Sequence, residues 1–148
     1  MSYLLQTNHL TKIIGGKELV SDVNIHLRKG EIYGFLGPNG AGKTSVMKML
    51  TNLWKPTEGA IELFGETLQK DSYEVLKRMG SIIEFPVFYE RMSGRENLQL
   101  HCEYMGYYEK GCVEKALELL SLSDAANKPV KKYSLGMKQR LGIARAVL

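Results

Sequence analysis

Residues 37–44 read Gly37-Pro38-Asn39-Gly40-Ala41-Gly42-Lys43-Thr44, and the expected fold is built around this glycine-rich loop. The apolar run at residues 32–36 comes directly before it and predicts a buried strand. Residues 45–50 come directly after it and predict a helix. A strand, a glycine-rich loop and a helix in this order form a recurrent structural unit. The glycines let the backbone curl tightly with no side chain on its inner surface.

The spacing of this loop matches the pattern G-x-x-x-x-G-K-[ST], which binds phosphate groups. Successive N–H groups of such a loop point inward, and the following helix adds the positive end of its dipole. Lys43 would reach the outer phosphates, and the Thr44 hydroxyl would complete a Mg²⁺ shell beside phosphate oxygens. The alternative is a glycine turn that matches by chance, but the flanking elements favour a nucleotide site.

The composition indicates one globular domain. The chain has 148 residues, of which 44% are hydrophobic, and its net charge is +4. This mild positive excess suits an anionic ligand and is too small to indicate a nucleic acid partner. Cys102 and Cys112 lack metal-ligand spacing, so we expect them to be reduced and structural. No apolar run is long enough to cross a bilayer and no signal peptide is recognisable, which predicts an intracellular protein or one held at a membrane by a partner.

The first part of the chain, about residues 1–86, predicts the mixed half of a nucleotide-binding domain. Alternating polar and apolar residues predict a strand at 23–28, and a second strand is expected at 60–65. Asp71 and Glu74 have the spacing of a capping box, which predicts a short helix that stops at Gly80. Residues 81–85 predict a further strand.

The second part, about residues 87–148, predicts a helical half of the same single domain. Ser93 and Glu96 form another capping-box pattern. Apolar residues then recur at helical spacing through residues 113–120. No strand is expected from there to the last residue.

A second motif opens the final predicted helix at Tyr133-Ser134-Leu135-Gly136-Met137-Lys138-Gln139-Arg140-Leu141. Ser134 is a good N-cap residue, and Gly136 allows another group to approach closely. The serine hydroxyl, the N–H groups and the helix dipole would together make a second anion site. The simpler alternative is that Ser134 only caps the helix.

The chain resembles the ATP-binding subunit of ABC transporters over essentially its whole length. The resemblance rests on the order of its motifs: a phosphate loop, then a helical segment, then Ser-x-Gly-x-x-x-Gln-Arg. The second motif corresponds to the family's signature sequence, which is usually LSGGQ. Ser134 and Gly136 are kept here, whereas Leu135 replaces the first glycine and Met137 replaces the glutamine. That form resembles the exporters that confer resistance or self-immunity to bacitracin and lantibiotics.

The resemblance also gives roles to two further residues. Glu84 stands where most ABC ATPases carry a glutamine, and the peptide-antibiotic exporters are similar in having glutamate there. Its carboxylate would ligate Mg²⁺ or orient water, and the alternative is an ordinary glutamate at the end of a strand. Ile14 stands where the family usually stacks an aromatic ring on adenine, so we expect weaker selection of ATP over GTP.

The fold that the resemblance implies is an α/β P-loop ATPase core with N-terminal antiparallel strands and a helical subdomain, truncated before the Walker B strand. The family's Walker B aspartate, catalytic glutamate and switch histidine have no counterpart in these 148 residues. Lys43 and Glu84 are the expected catalytic residues, and Thr44 and Glu84 are the expected metal ligands. The expected nucleotide-binding residues are Ile14, Gly37, Pro38, Asn39, Gly40, Ala41, Gly42, Lys43, Thr44, Ser45, Ser134 and Gly136.

The function that the resemblance implies is ATP-driven export of, or resistance against, peptide antibiotics, with ATP and Mg²⁺ as cofactors. The implied partners are a transmembrane permease and a second ATPase subunit arranged head to tail, without direct contact with nucleic acid. This places the protein on the inner face of the cell membrane, and the 148 residues alone are expected to be inactive in hydrolysis. Two alternatives are a soluble ABC-type module acting on nucleic acid or ribosomes and a non-catalytic fragment.

Overall fold

The computed structural model describes residues 3–106 and 109–148. The chain divides into two compact units, Met1–Arg78 and Met79–Leu148, and each is described by itself. Within the described ranges, no helix is both long enough and apolar enough to span a membrane.

The first unit is an antiparallel sheet with two helices. Its sheet has the strand order β2-β1-β4-β5, and the short β3 also pairs with β1. Its core contains Leu10 of β1, Leu63 of β4 and Met49 of α1, all of them fully buried or nearly so. The elements are β1 (Leu5–Ile14), β2 (Lys17–Val23), β3 (His26–Leu27), α1 (Lys43–Leu50), β4 (Glu58–Leu63), β5 (Glu66–Thr67) and α2 (Tyr73–Leu76). The predicted helix after the glycine loop is confirmed by α1, and the strand predicted at 60–65 is confirmed by β4.

The strand predicted at residues 23–28 forms only in part, because β2 ends at Val23 and β3 covers only His26–Leu27. The side chain of Asn24 competes with the ladder, because its Oδ1 accepts from the N–H of His9 at 2.8 Å. The buried Thr7 hydroxyl bridges the gap, donating to the carbonyl of Val23 at 2.8 Å and accepting from the N–H of Ile25 at 2.9 Å. The break therefore leaves these backbone groups hydrogen-bonded.

The buried strand predicted at residues 32–36 is wrong. The chain has no regular secondary structure there, and Ile32 and Leu36 are almost completely exposed. A strand exists only when a neighbour shares its hydrogen-bond ladder. Among the described residues, none pairs with this segment.

The capping box predicted at Asp71 does not form. The N-cap of α2 is Ser72, and no side-chain bond caps the helix. The Ser72 hydroxyl instead accepts from the N–H of Gln69 at 2.8 Å, which stabilises the preceding turn. The helix ends at Leu76, before the predicted stop at Gly80.

The second unit is helical. Its elements are α3 (Gly94–Met105), α4 (Cys112–Leu119), α5 (Leu135–Val147) and two short 3₁₀ helices, Ser123–Ala125 and Val130–Lys132. Leu98 of α3, Leu117 of α4 and Leu141 of α5 meet in one apolar core. The helical spacing predicted at residues 113–120 is thus confirmed.

The capping box predicted at the start of α3 is confirmed. The Ser93 hydroxyl accepts from the N–H of Glu96 at 3.2 Å, and the Glu96 carboxylate accepts from the N–H of Ser93 at 2.7 Å. These bonds hold the pKa of Glu96 below its usual value. Both partners lie within one turn, which is why the sequence could predict the pair.

The strand predicted at residues 81–85 is wrong. No strand forms in this segment, and Glu84 has the left-handed backbone angle φ 60°. A glutamate pays a steric penalty in that conformation, and it cannot continue a β-ladder there.

Candidate functional site

The glycine loop leads directly into α1 and is shaped by two left-handed residues. Gly40 has φ 84° and Gly42, the N-cap of α1, has φ 89°. A Cβ placed on Gly42 would lie 2.4 Å from the carbonyl oxygen of Leu19, in β2. Only glycine fits there, and this contact sets the loop and the start of α1 against the sheet.

Lys43 folds back over the loop. Its Nζ donates to the carbonyl oxygen of Gly37 at 2.5 Å and to that of Pro38 at 2.7 Å. The N–H of Ala41 also donates to Pro38, at 3.2 Å, and closes the turn. A Cβ added to Gly37 would come within 3.3 Å of the Ala41 Cβ and 3.9 Å of the Lys43 Nζ. The ammonium group therefore lies against the loop backbone, and a side chain at position 37 would crowd it.

The other loop residues lie where a ligand can reach them. Asn39 and Thr44 are exposed, and Ser45 is half-buried. Thr44 is the second residue of α1, so its hydroxyl lies at the positive end of the helix dipole. Residues 37–45 contain one ammonium group and no carboxylate, a set that fits an anion. From the loop, Mg²⁺ would take the Thr44 hydroxyl oxygen, and its other ligands would be phosphate or water oxygens or a side chain outside the loop.

Ile14 ends β1 and is paired with Lys17 of β2. Its side chain is 47% exposed, so the strand presents an apolar surface there without an aromatic ring. This arrangement allows apolar contact with a base and does not allow stacking.

Ser134 caps α5, as the sequence predicts. Its hydroxyl accepts from the N–H of Met137 at 3.2 Å, and its carbonyl accepts from the N–H of Lys138 at 2.9 Å. Ser134 and Gly136 are both exposed, and a Cβ on Gly136 would meet no described heavy atom within 4 Å. The cap explains a serine at this position, and the second anion site stays a prediction.

Long-range bonds that sequence reasoning missed hold the start of α5 in place. The Nζ of Lys138 donates to the Glu90 carboxylate at 2.8 Å, and this bond holds the pKa of Glu90 below its usual value. Arg140 donates to the carbonyls of Leu120 and Ser121 at 3.0 and 3.1 Å. Partners 19 to 48 residues apart leave no local pattern that could have shown these contacts.

The predicted site residues fall in both units. Ile14 and the loop belong to the first unit, whereas Glu84, Ser134 and Gly136 belong to the second. Glu84 is exposed. Within residues 3–106 and 109–148, no three His, Cys, Asp or Glu side chains cluster in a way that could hold a metal ion.

Comparison with known sequences gives matches over nearly the whole chain. Residues 20–148 match the family model described as ABC transporter. YcbN of Bacillus subtilis, an uncharacterized ABC transporter ATP-binding protein, is 60% identical over all 148 residues, which cover 48% of YcbN. The bacitracin transport ATP-binding protein BcrA of Bacillus licheniformis is 49% identical over the same 148 residues, again 48% of its length. The lantibiotic transport ATP-binding protein SrtF of Streptococcus pyogenes is 37% identical over 145 residues, 98% of this chain and 62% of SrtF.

A solved structure agrees with these sequence matches. The ATP-binding subunit of an ABC transporter superposes with a TM-score of 0.86 at 28% identity, over 97% of this chain and 61% of that one. The predicted fold class and the resemblance to bacitracin and lantibiotic transport ATP-binding proteins are therefore confirmed. The chain spans about half the length of YcbN and BcrA.

Proposed function

Because the chain belongs to the ABC transporter family, we propose that it supplies the nucleotide-binding part of a motor subunit that exports peptide antibiotics. Membership of this family implies that the chain binds ATP. The names of BcrA and SrtF, which are 49% and 37% identical, support the substrate class.

The observation that carries this proposal is the position of the Lys43 ammonium group inside the loop at the start of α1. Two neutral carbonyls are its partners, and both are weaker acceptors than a phosphate oxygen. A nucleotide phosphate can replace them because its charge strengthens the hydrogen bond. The chain thus keeps a cation where the β- and γ-phosphates of ATP would lie.

The remaining loop residues have complementary roles in this proposal. Main-chain N–H groups of the loop hold phosphate oxygens, except at Pro38, which has none, and at Ala41, whose N–H donates to Pro38. Glycine at 40 and 42 keeps side chains out of their way. The Thr44 hydroxyl is the loop's ligand to Mg²⁺, and that ion would neutralise phosphate charge. Ile14 contributes apolar contact to the base.

The proposed working unit contains two copies of the motor subunit and a membrane partner. Ser134 and Gly136 of one copy would face the nucleotide held by the loop of the other copy. The exposed hydroxyl and the open surface at Gly136 suit such an approach. Closure of the two copies would drive a transmembrane permease from the inner face of the membrane.

The proposal predicts that the 148-residue chain binds Mg-ATP without turning it over. The family's Asp-Glu pair after the Walker B strand has no counterpart in these residues, so no matching carboxylate orients the attacking water. Calorimetry should show binding to one site, and a phosphate-release assay should show less than one turnover per chain. Repeated turnover that disappears in Lys43→Ala would contradict this assignment of catalytic groups.

A second prediction concerns Glu84 as a Mg²⁺ ligand. Glu84→Gln should shift the Mg²⁺ concentration that half-saturates nucleotide binding by about tenfold, because an amide lacks the ligand's charge. The measurement is a Mg²⁺ titration at fixed ADP. Glu103→Gln makes the same charge change at another exposed position of the second unit and should leave the midpoint where it is. Equal midpoints for Glu84→Gln and the unchanged chain would show that Glu84 is no metal ligand.

A third prediction concerns the base. ADP and GDP should bind with dissociation constants within about threefold of each other, because apolar contact does not read the exocyclic groups of a purine. Ile14→Ala should weaken both nucleotides alike. Ile13→Ala is the matched control, since neighbouring strand residues point to opposite faces. A large preference for ADP would contradict the assignment of Ile14 to the base.

A further inference from the structure

Two cysteines contact each other in the second unit. The Sγ atoms of Cys102 in α3 and Cys112 in α4 lie 3.9 Å apart, and both thiols are free. Cys102 is 2% exposed, whereas Cys112 is half-buried. One thiol is therefore sealed in the core, and the other is open to a small reagent from solvent.

The surroundings hold this pair in place. Cys102 lies in the apolar core with Leu98, Val113 and Leu117, and Cys112 packs against that core. Cys112 is the first residue of α4, directly after Gly111, whose φ is 82°. A disulfide bond is about 2.05 Å long, so the two sulfurs must approach by about 2 Å. Side-chain rotation can close that gap, and Cys112 is the less buried of the two cysteines.

We propose that Cys102 and Cys112 are a redox modification site, closed to an intramolecular disulfide by a low-molecular-weight disulfide. The Cys112 thiolate attacks one sulfur of the small disulfide, forms a mixed disulfide and releases the first small thiolate. The Cys102 thiolate then attacks the Cys112 sulfur and releases the second. The two protein thiols lose two electrons to the oxidant and their two protons to solvent.

The environment decides which sulfur attacks first. A small disulfide reaches Cys112 and cannot reach Cys102. Burial, with a smaller contribution from the Cys112 contact, raises the pKa of Cys102 to about 11. Few Cys102 thiolates exist near neutral pH, so the second step is the slow one. The bond would tie the last turns of α3 to the first turn of α4, independently of any nucleotide.

The test is oxidation of the dilute 148-residue chain with oxidised glutathione, followed by intact-mass and peptide analysis. The expected product has lost two hydrogens and contains a Cys102–Cys112 cross-link within one chain. It should resist alkylation until dithiothreitol restores both thiols. Cys102→Ser should instead stop at a stable glutathione adduct on Cys112, because the second thiol is gone.

Three results would overturn the proposal. In the first, both cysteines of the unchanged chain can still be alkylated when the chain is unfolded after oxidation. In the second, the unchanged chain stops at the glutathione adduct. In the third, the only disulfide formed joins two chains, which non-reducing electrophoresis would show. The first readout uses the unchanged chain, so a variant that fails to fold cannot decide the outcome.

Discussion

Replacing Lys43 with alanine should weaken binding of Mg-ATP by about 100-fold, because one charge-assisted hydrogen bond contributes about 1.5–3 kcal/mol. The Nζ of Lys43 already lies against the carbonyls of Gly37 and Pro38, so no rearrangement of the backbone is needed for it to meet a phosphate. Calorimetric titration with Mg-ATP measures the loss directly. Circular dichroism should show an unchanged helix content, since Lys43 is only half-buried and its Nζ bonds loop carbonyls and not the core.

Lys70→Ala is the matched control for this experiment. It removes the same charge from an exposed position of the same unit, and it should leave the dissociation constant within about twofold, because a distant exposed charge is screened by salt. Equal losses in the two variants would indicate a general charge effect. Tight Mg-ATP binding by Lys43→Ala would remove the loop from the proposed site, and the assignment as a transporter motor would fail with it.

Replacing Gly42 with alanine should lower the free energy of unfolding of the first unit by about 3 kcal/mol, since left-handed strain is added to a steric clash. The new Cβ would lie 2.4 Å from the Leu19 carbonyl oxygen and 3.1 Å from Cγ2 of Val20. The backbone of β2 or the start of α1 must move to relieve the contact. Urea unfolding measures the destabilisation, and nucleotide binding should be lost together with the loop geometry.

Gly40→Ala separates the effect of left-handed backbone strain from the effect of the steric clash. Gly40 has nearly the same φ, 84°, and its added Cβ would meet no described heavy atom within 4 Å. We expect a loss of about 1 kcal/mol there, from backbone strain alone. If both variants lost equal stability, the close approach between Gly42 and Leu19 would have no energetic consequence, and the anchoring of the loop to β2 would be wrong.

Local pattern predicted the helix starts well. The sequence predicts the caps Ser93 before α3 and Ser134 before α5, and it predicts the helix after the glycine loop to within two residues of the start of α1. Such signals work because a cap satisfies N–H groups within one turn of itself. The exception is Asp71, where Ser72 became the N-cap and its hydroxyl bonded Gln69 instead.

Strands were predicted less well, because a strand requires a partner that may lie far away in the chain. Residues 32–36 and 81–85 have the composition of strands and form none. In contrast, β1 and β4 pair although about fifty residues separate them in the chain. No residue spacing within either segment predicts which residues pair. The hydroxyl of Thr7, which fills the gap between β2 and β3, was equally invisible in the sequence.

The phosphate loop, the lysine that it contains, the helices capped by Ser93 and Ser134, and the family can all be predicted from the sequence alone. Each of these depends on residues a few positions apart, whose local bonds do not depend on the path of the rest of the chain. The folded structure was needed to show that Gly42 must be glycine because of Leu19, and that the Lys43 ammonium group bonds loop carbonyls. It also decided which apolar segments join the sheet, since a hydrogen-bond ladder is a property of two segments and cannot be read from either one alone.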